Sequence, residues 1–114
     1  MTRVGLIGAG NWGRNWLRSL AARGVLGAVC DTDPKTRAAL AARTPDLALD
    51  ADPAAFFARK ELDAVVIATP VETHFALACE ALRAGKHVLV EKPLAKSAAQ
   101  AQTLIDLAKQ AGKV

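Results

Sequence analysis

A doubly wound α/β fold, with a parallel sheet flanked by helices, is predicted for this 114-residue sequence by three observations. Strand-like and helix-like segments alternate from one end to the other. The run Ala64-Val65-Val66-Ile67-Ala68 is continuously apolar, as a central parallel strand buried on both faces requires. The first apolar stretch passes through Gly8-Ala9-Gly10-Asn11-Trp12-Gly13 directly into a helical pattern. The length suits one domain, and no linker or repeat interrupts it.

The elements follow in order. Arg3 to Ile7 reads as the first strand, and the helix from Asn11 to Arg23 carries Trp12, Trp16, Leu17, Leu20 and Ala21 at helical spacing before Gly24 stops it. Val25 to Cys30 is the second strand. Asp33-Pro34 supplies an N-cap and a favoured first residue for a helix to Arg43, and Asp52-Pro53 repeats the device for a short helix ending near Lys60. A weak strand lies at Leu47 to Leu49. After the apolar Ala64–Ala68 strand, Thr73 is expected to cap a helix that Gly85 ends. His87 to Val90 is a further strand, and Ser97 with Gln100 resembles a capping box for a last helix through Gln110, closed by Gly112. Lys113-Val114 reads as the lead-in to another strand. Right-handed crossovers then place a ligand across the carboxyl ends of the strands, at the switch point of the sheet.

Apolar residues make up 52% of the chain and aromatics 4%, which suits small aliphatic residues packed between helices and sheet. The net charge of +4 raises a nucleic-acid partner, but the distribution of the basic residues argues against one. Arg14, Arg18, Arg23, Lys35, Arg37, Arg43, Arg59, Lys60, Arg83 and Lys86 are scattered singly among acids with no aromatic platform, and read mostly as solvated helix faces. Cys30 and Cys79 lack metal-ligand spacing and read as small core residues in a reducing compartment; no metal site is expected. No run approaches about eighteen apolar residues and no signal segment is visible, so a cytoplasmic protein with no membrane partner is expected.

The glycines point to a dinucleotide. Gly8 allows the tight turn off the strand, Gly10 lets a pyrophosphate approach the backbone, and Gly13 lets the helix pack close to the sheet. The first helical amides have no acceptor within the helix and, with the helix dipole, attract a phosphate. Asp31 ends the second strand eighteen positions after Gly13, where a carboxylate meets the adenosine ribose hydroxyls and repels a 2'-phosphate; a loop-capping aspartate is the plainer alternative. This favours NAD over NADP, with Lys35 and Arg37 nearby leaving room for the latter. Thr69-Pro70 leaves the buried strand on the ligand side. His74, alone near a helix start, reads as structural before catalytic because no partner is visible. Glu91-Lys92-Pro93 puts a charged pair at the carboxyl end of a buried strand, a costly position unless something polar meets it; a solvated surface pair is the alternative. A lysine beside an oxidised, cationic nicotinamide is placed to act as acid or base.

Taken together, Gly8-Ala9-Gly10-Asn11-Trp12-Gly13, Cys30-Asp31, Val66-Ile67-Ala68-Thr69-Pro70 with His74, Ala84-Gly85-Lys86-His87-Val88 and Glu91-Lys92-Pro93 resemble the Gfo/Idh/MocA family, the glucose-fructose oxidoreductase and inositol dehydrogenase family. The likeness covers essentially the whole chain, and the start Asn11-Trp12-Gly13-Arg14-Asn15 is similar to members that oxidise nucleotide sugars. It implies a Rossmann domain over residues 1–114 and an enzyme that moves a hydride between a sugar, nucleotide-sugar or cyclitol carbon and a nicotinamide. By the same resemblance Lys92 is the catalytic residue, moving the hydroxyl proton, and Glu91 contacts the nicotinamide ribose. Thr69, Pro70 and His74 lie beside the cofactor, completing a binding set with Gly8, Gly10, Asn11, Trp12, Gly13 and Asp31. Family members carry a second, substrate-binding domain that these residues do not include. The expectation is therefore cofactor binding without turnover, and self-association through apolar surface that the second domain would cover. A stand-alone, non-catalytic dinucleotide-binding or redox-sensing module is the alternative, and it has no use for Lys92.

Overall fold

The computed structural model describes residues 2–114. Five strands, β1 Val4–Ile7, β2 Leu26–Cys30, β3 Ala48–Asp50, β4 Ala64–Ile67 and β5 His87–Val90, form one sheet in the order β3-β2-β1-β4-β5. Every pairing is parallel. Five helices connect or follow them: α1 Gly13–Ala22, α2 Pro34–Arg43, α3 Pro53–Phe57, α4 Val71–Arg83 and α5 Ala98–Ala111. The strand order reverses between β1 and β4, which opens the crevice of a doubly wound sheet at their carboxyl ends.

Alternation along the strands sorts the core into two layers. Leu6, Val29 and Val66 pack with Leu20 of α1 and Leu40 of α2. Their neighbours Ile7, Cys30 and Ile67 face the opposite way, against Phe56 and Phe57 of α3, Ala78 and Leu82 of α4, and Leu104 of α5. Phe56 is fully buried, and its ring lies so near β1 that a Cβ on Gly5 would stand 2.6 Å from Cζ.

Several boundaries move for local reasons. Asp33, Asp52 and Ser97 do cap α2, α3 and α5 as expected, each accepting a backbone N–H. Helix α4, in contrast, starts at Val71 with Pro70 as its N-cap, three residues before the expected Thr73 cap. The Pro70 ring presets helix entry, and the Thr73 hydroxyl donates back to the Pro70 carbonyl at 2.6 Å. Helix α1 starts at Gly13 rather than Asn11, because Asn11 and Trp12 complete the glycine turn, with the Arg14 amide donating to the Gly10 carbonyl at 3.0 Å.

Arg59 and Lys86, expected on solvated faces, are instead tied into the structure. Arg59 donates to both Asp50 carboxylate oxygens, at 2.7 and 3.1 Å, and joins the end of α3 to β3. Lys86 is buried, and its Nζ donates to the carbonyls of Arg59 and Leu62 at 2.5 and 2.8 Å, satisfying oxygens beyond the end of α3. Burial pushes the Lys86 ammonium below its ordinary pKa. Both cysteines are buried and free. At the β5 edge, Leu94 and Ile105 are 41% and 44% exposed. Val114 lies along this edge, where the Val88 amide donates to its carbonyl at 2.8 Å. No helix among the described residues is long and apolar enough to cross a membrane.

The Phe56 contact sets a stability test. Phe56→Ala opens a cavity between α3 and β1 and is expected to cost about 3–5 kcal/mol, a large part of the roughly 5–15 kcal/mol that holds a domain together. Urea unfolding followed by circular dichroism measures this as a lowered midpoint.

Candidate functional site

The crevice between β1 and β4 holds a cleft of 630 Å³ lined by the carboxyl ends of β1, β2 and β4. Its three motif glycines are required for three different reasons. Gly8 has φ +95°, and a Cβ there would stand 2.7 Å from the Ala68 carbonyl oxygen. At Gly13 a Cβ would collide with the Gly8 carbonyl oxygen, so the first turn of α1 rests directly on the β1 turn. Gly10 differs from both: nothing lies within 4 Å of the Cβ position, so the protein itself leaves that space open. Among the described residues the amides of Asn11, Trp12 and Gly13 have no protein acceptor, since the first bond of the turn is made by Arg14. An open cradle beside unpaired helix-start amides fits a pyrophosphate.

Asp31 bridges two loops. Its Oδ2 accepts from the Ala9 amide and its Oδ1 from the Asp33 amide, both at 2.9 Å, while the carboxylate still lines the cleft. Asp31 thus ties the glycine turn to the start of α2 while keeping acceptor capacity on the cleft side. Arg37 donates to the Asp31 carbonyl at 2.8 Å, which places a guanidinium at this end of the cleft. Cys30 lies beneath, its thiol pushed up to about 12 by burial and by the nearby Asp50 and Asp31 carboxylates, so it is a neutral wall rather than a nucleophile.

Thr69 and Pro70 line the same cleft. The Thr73 hydroxyl gives its proton to the Pro70 carbonyl, so the Thr69 hydroxyl donates to the Thr73 oxygen across 2.6 Å. His74 lies behind this loop, 2% exposed. Its Nε2 is 2.8 Å from the Thr69 carbonyl oxygen and its Nδ1 is 2.8 Å from that of Pro93. Both ring nitrogens thus face backbone oxygens, and the buried ring leaves none for the cleft.

Glu91 and Lys92 stand beyond the end of β5, outside the enclosed part of the cleft. The Trp16 indole N–H donates to Glu91 Oε1 at 2.6 Å, joining α1 to the β5 loop. This bond holds the Glu91 carboxyl below its ordinary pKa against the opposing effect of burial, with Trp12 and the Lys92 backbone adding to it. The anchor is thus complete above the usual glutamate range and is lost as pH falls through the lowered folded value. Lys92 is exposed, and Trp12, 60% exposed, stands at the start of α1.

The structure therefore gathers Gly8, Gly10, Asp31, Thr69 and Pro70 around one enclosed volume and leaves Trp12, Glu91 and Lys92 on an open rim. Sequence reasoning missed Pro53, Ala76 and Leu77, which form much of the apolar wall. Leu77 follows Thr73 at helical spacing, a visible signal, whereas Pro53 presented only as a helix start.

Comparison with known proteins agrees with this geometry. The oxidoreductase family with an NAD-binding Rossmann fold, Gfo/Idh/MocA, matches residues 2–114. Inositol 2-dehydrogenase 1 of Saccharopolyspora erythraea is 42% identical over 108 residues, covering 90% of this chain and 32% of that protein. The WlbA dehydrogenase of Bordetella pertussis, solved with NADH and UDP-GlcNAcA, superposes with a TM-score of 0.89 at 31% identity over 98% of this chain and 33% of its own. A 3-ketoreductase from Actinomadura kijaniata, solved with TDP-benzene and NADP, gives 0.88 at 30% identity over 99% and 37%. The chain spans about a third of the length of the curated relatives it matches. With a parallel doubly wound sheet, a glycine turn opening onto unpaired amides and a family match along its whole described length, the chain belongs to the Gfo/Idh/MocA oxidoreductases and forms an NAD-binding Rossmann domain.

Proposed function

We propose that this domain binds NAD(H) in preference to NADP(H) and serves a dehydrogenase acting on a hydroxyl carbon of a sugar, nucleotide sugar or cyclitol. The open Cβ position at Gly10 beside the free amides of Asn11 to Gly13 carries the dinucleotide part of the proposal. Asp31 carries the preference, because a carboxylate accepts from ribose hydroxyls and repels a 2'-phosphate. Pro53, Ala76 and Leu77 offer the adenine an apolar wall.

When bound, the nicotinamide supplies the hydride acceptor or donor. The chain's own contribution is positional and protonic. Glu91, held by Trp16, would meet the nicotinamide ribose, and Lys92 Nζ would take the substrate hydroxyl proton in the oxidising direction and return it in the reverse one. The 114 residues bind cofactor without turnover, since hydride transfer needs the substrate carbon held against the nicotinamide and the rim around Lys92 has no opposing wall.

Four outcomes test this. NADH titrated into the protein is expected to quench Trp12 and Trp16 emission at lower concentration than NADPH; equal or tighter NADPH binding removes the role given to Asp31. Gly10→Ala is expected to leave the unfolding midpoint unchanged and abolish the quenching. Gly13→Ala is expected to lose both, at a folding cost of about 1–3 kcal/mol from overpacking. In a longer protein that carries this domain and turns over, Lys92→Ala is expected to lower turnover about a hundredfold or more, and near-normal steady-state rates would return Lys92 to a surface role.

A further inference from the structure

The β4 and β5 strands pair in register from Ala64 with His87 to Ile67 with Val90, and the last bond between them runs from the Glu91 amide to the Ile67 carbonyl at 3.0 Å. Beyond that point both chains leave the sheet. The β4 loop runs through Thr69 and Pro70 along the cleft, and the β5 loop through Lys92 and Pro93 along the rim. Among the described residues one side chain bridges them past the end of the ladder: His74, with Nε2 on the Thr69 carbonyl and Nδ1 on the Pro93 carbonyl.

A polar ring at 2% exposure costs stability unless its nitrogens are bonded, and an apolar side chain would fill the site without that cost. Each nitrogen meets a carbonyl of one of the two loops that flank the cofactor edge, and since a carbonyl only accepts, a ring with one N–H donates to one loop and packs against the other, while a ring with two donates to both. Lys92 sits between two such tethers. On one side Glu91 is held to α1 by the Trp16 indole, and on the other Pro93 is held to α4 by His74.

We propose that His74 is a positioning residue, which locks the Thr69 loop to the Lys92-Pro93 loop and, with the Trp16–Glu91 bond, sets where the Lys92 amine stands at the cofactor rim. The proposal rests on the function assigned above to Lys92, and it gives a buried histidine a task that neither cofactor contact nor proton transfer supplies. Trp16 and His74, each the fourth residue of its helix, thereby act on one loop from opposite sides of the sheet end.

The test uses this chain with His74→Phe, which keeps an aromatic volume but donates nothing, and His74→Gln, which restores one N–H bond. The readouts are the Trp16 indole N–H resonance and amide exchange at Glu91, Lys92 and Leu94. His74→Phe is expected to shift the indole resonance and speed exchange at those amides about tenfold or more, with residues 26–43 unchanged, and His74→Gln is expected to fall between it and the wild type. An unchanged indole resonance and unchanged exchange in folded His74→Phe overturn the proposal. So does unfolding of both variants, which makes the ring a core support. NADH quenching of the wild type is read separately: its absence overturns the dinucleotide function, and with it the task of Lys92, whatever the loops do.

Discussion

The contact between Gly13 and the Gly8 carbonyl governs the rest of the site. Without a Cβ at residue 13, α1 begins in direct contact with the turn that leaves β1, and a side chain there would force the helix away. That placement has consequences in two directions. It brings the Ala9 amide to Asp31 at the end of β2, and it carries Trp16, one turn further along α1, to Glu91 at the end of β5. The glycine turn is therefore a hub between the two outer ends of the crevice as well as the proposed phosphate cradle. The same backbone geometry that leaves the first amides unpaired also fixes the loops on either side of them.

Polar groups in this chain are placed where backbone atoms would otherwise be left over. Asp31 accepts two amides from separate loops, Lys86 donates to two carbonyls beyond α3, and His74 faces two carbonyls at the ends of β4 and β5. A parallel sheet ends in loops that cannot continue its ladder, and each of these side chains takes over where the ladder stops. The Asp50–Arg59 pair does the same between β3 and α3, with two bonds from one guanidinium. Rigidity at the ligand end of the sheet thus comes from Asp31 and His74, with two partners each, while Lys86 serves the opposite end, before β4 and β5 begin.

The legible part of this architecture was local. Asp33-Pro34, Asp52-Pro53 and Ser97 announce helix starts because a cap bonds an amide two or three residues away, and a continuous apolar run such as Ala64–Ala68 needs no partner to be seen. The glycine spacing and Glu91-Lys92-Pro93 were visible for the same reason. What sequence hid were bonds between distant residues: Trp16 to Glu91 spans 75 positions, Lys86 to Arg59 spans 27, and His74 to Pro93 spans 19. Arg59 and Lys86 therefore looked like surface charge, and His74 like an isolated ring. At Thr73 the error was local competition: its hydroxyl reaches back to the Pro70 carbonyl, and the preset proline takes the cap position.

The site is unequal along its length, and the inequality follows from which strands supply it. The glycine turn, Asp31 and the Thr69 loop come from three adjacent strands, β2, β1 and β4, so they close on each other and enclose a volume. Lys92 follows β5, which pairs with β4 on one side only and meets just Val114 on the other. Under the proposed function, an adenosine entering the enclosed end meets walls already in place, so its binding needs little ordering of the protein. In the proposed binding mode a nicotinamide at the rim meets Glu91 and Lys92 on one side and solvent on the other. For the proposed chemistry this divides the labour: these residues can fix the cofactor and aim a proton carrier, while selection of the carbon that gives up its hydride requires a surface facing Lys92 across the rim.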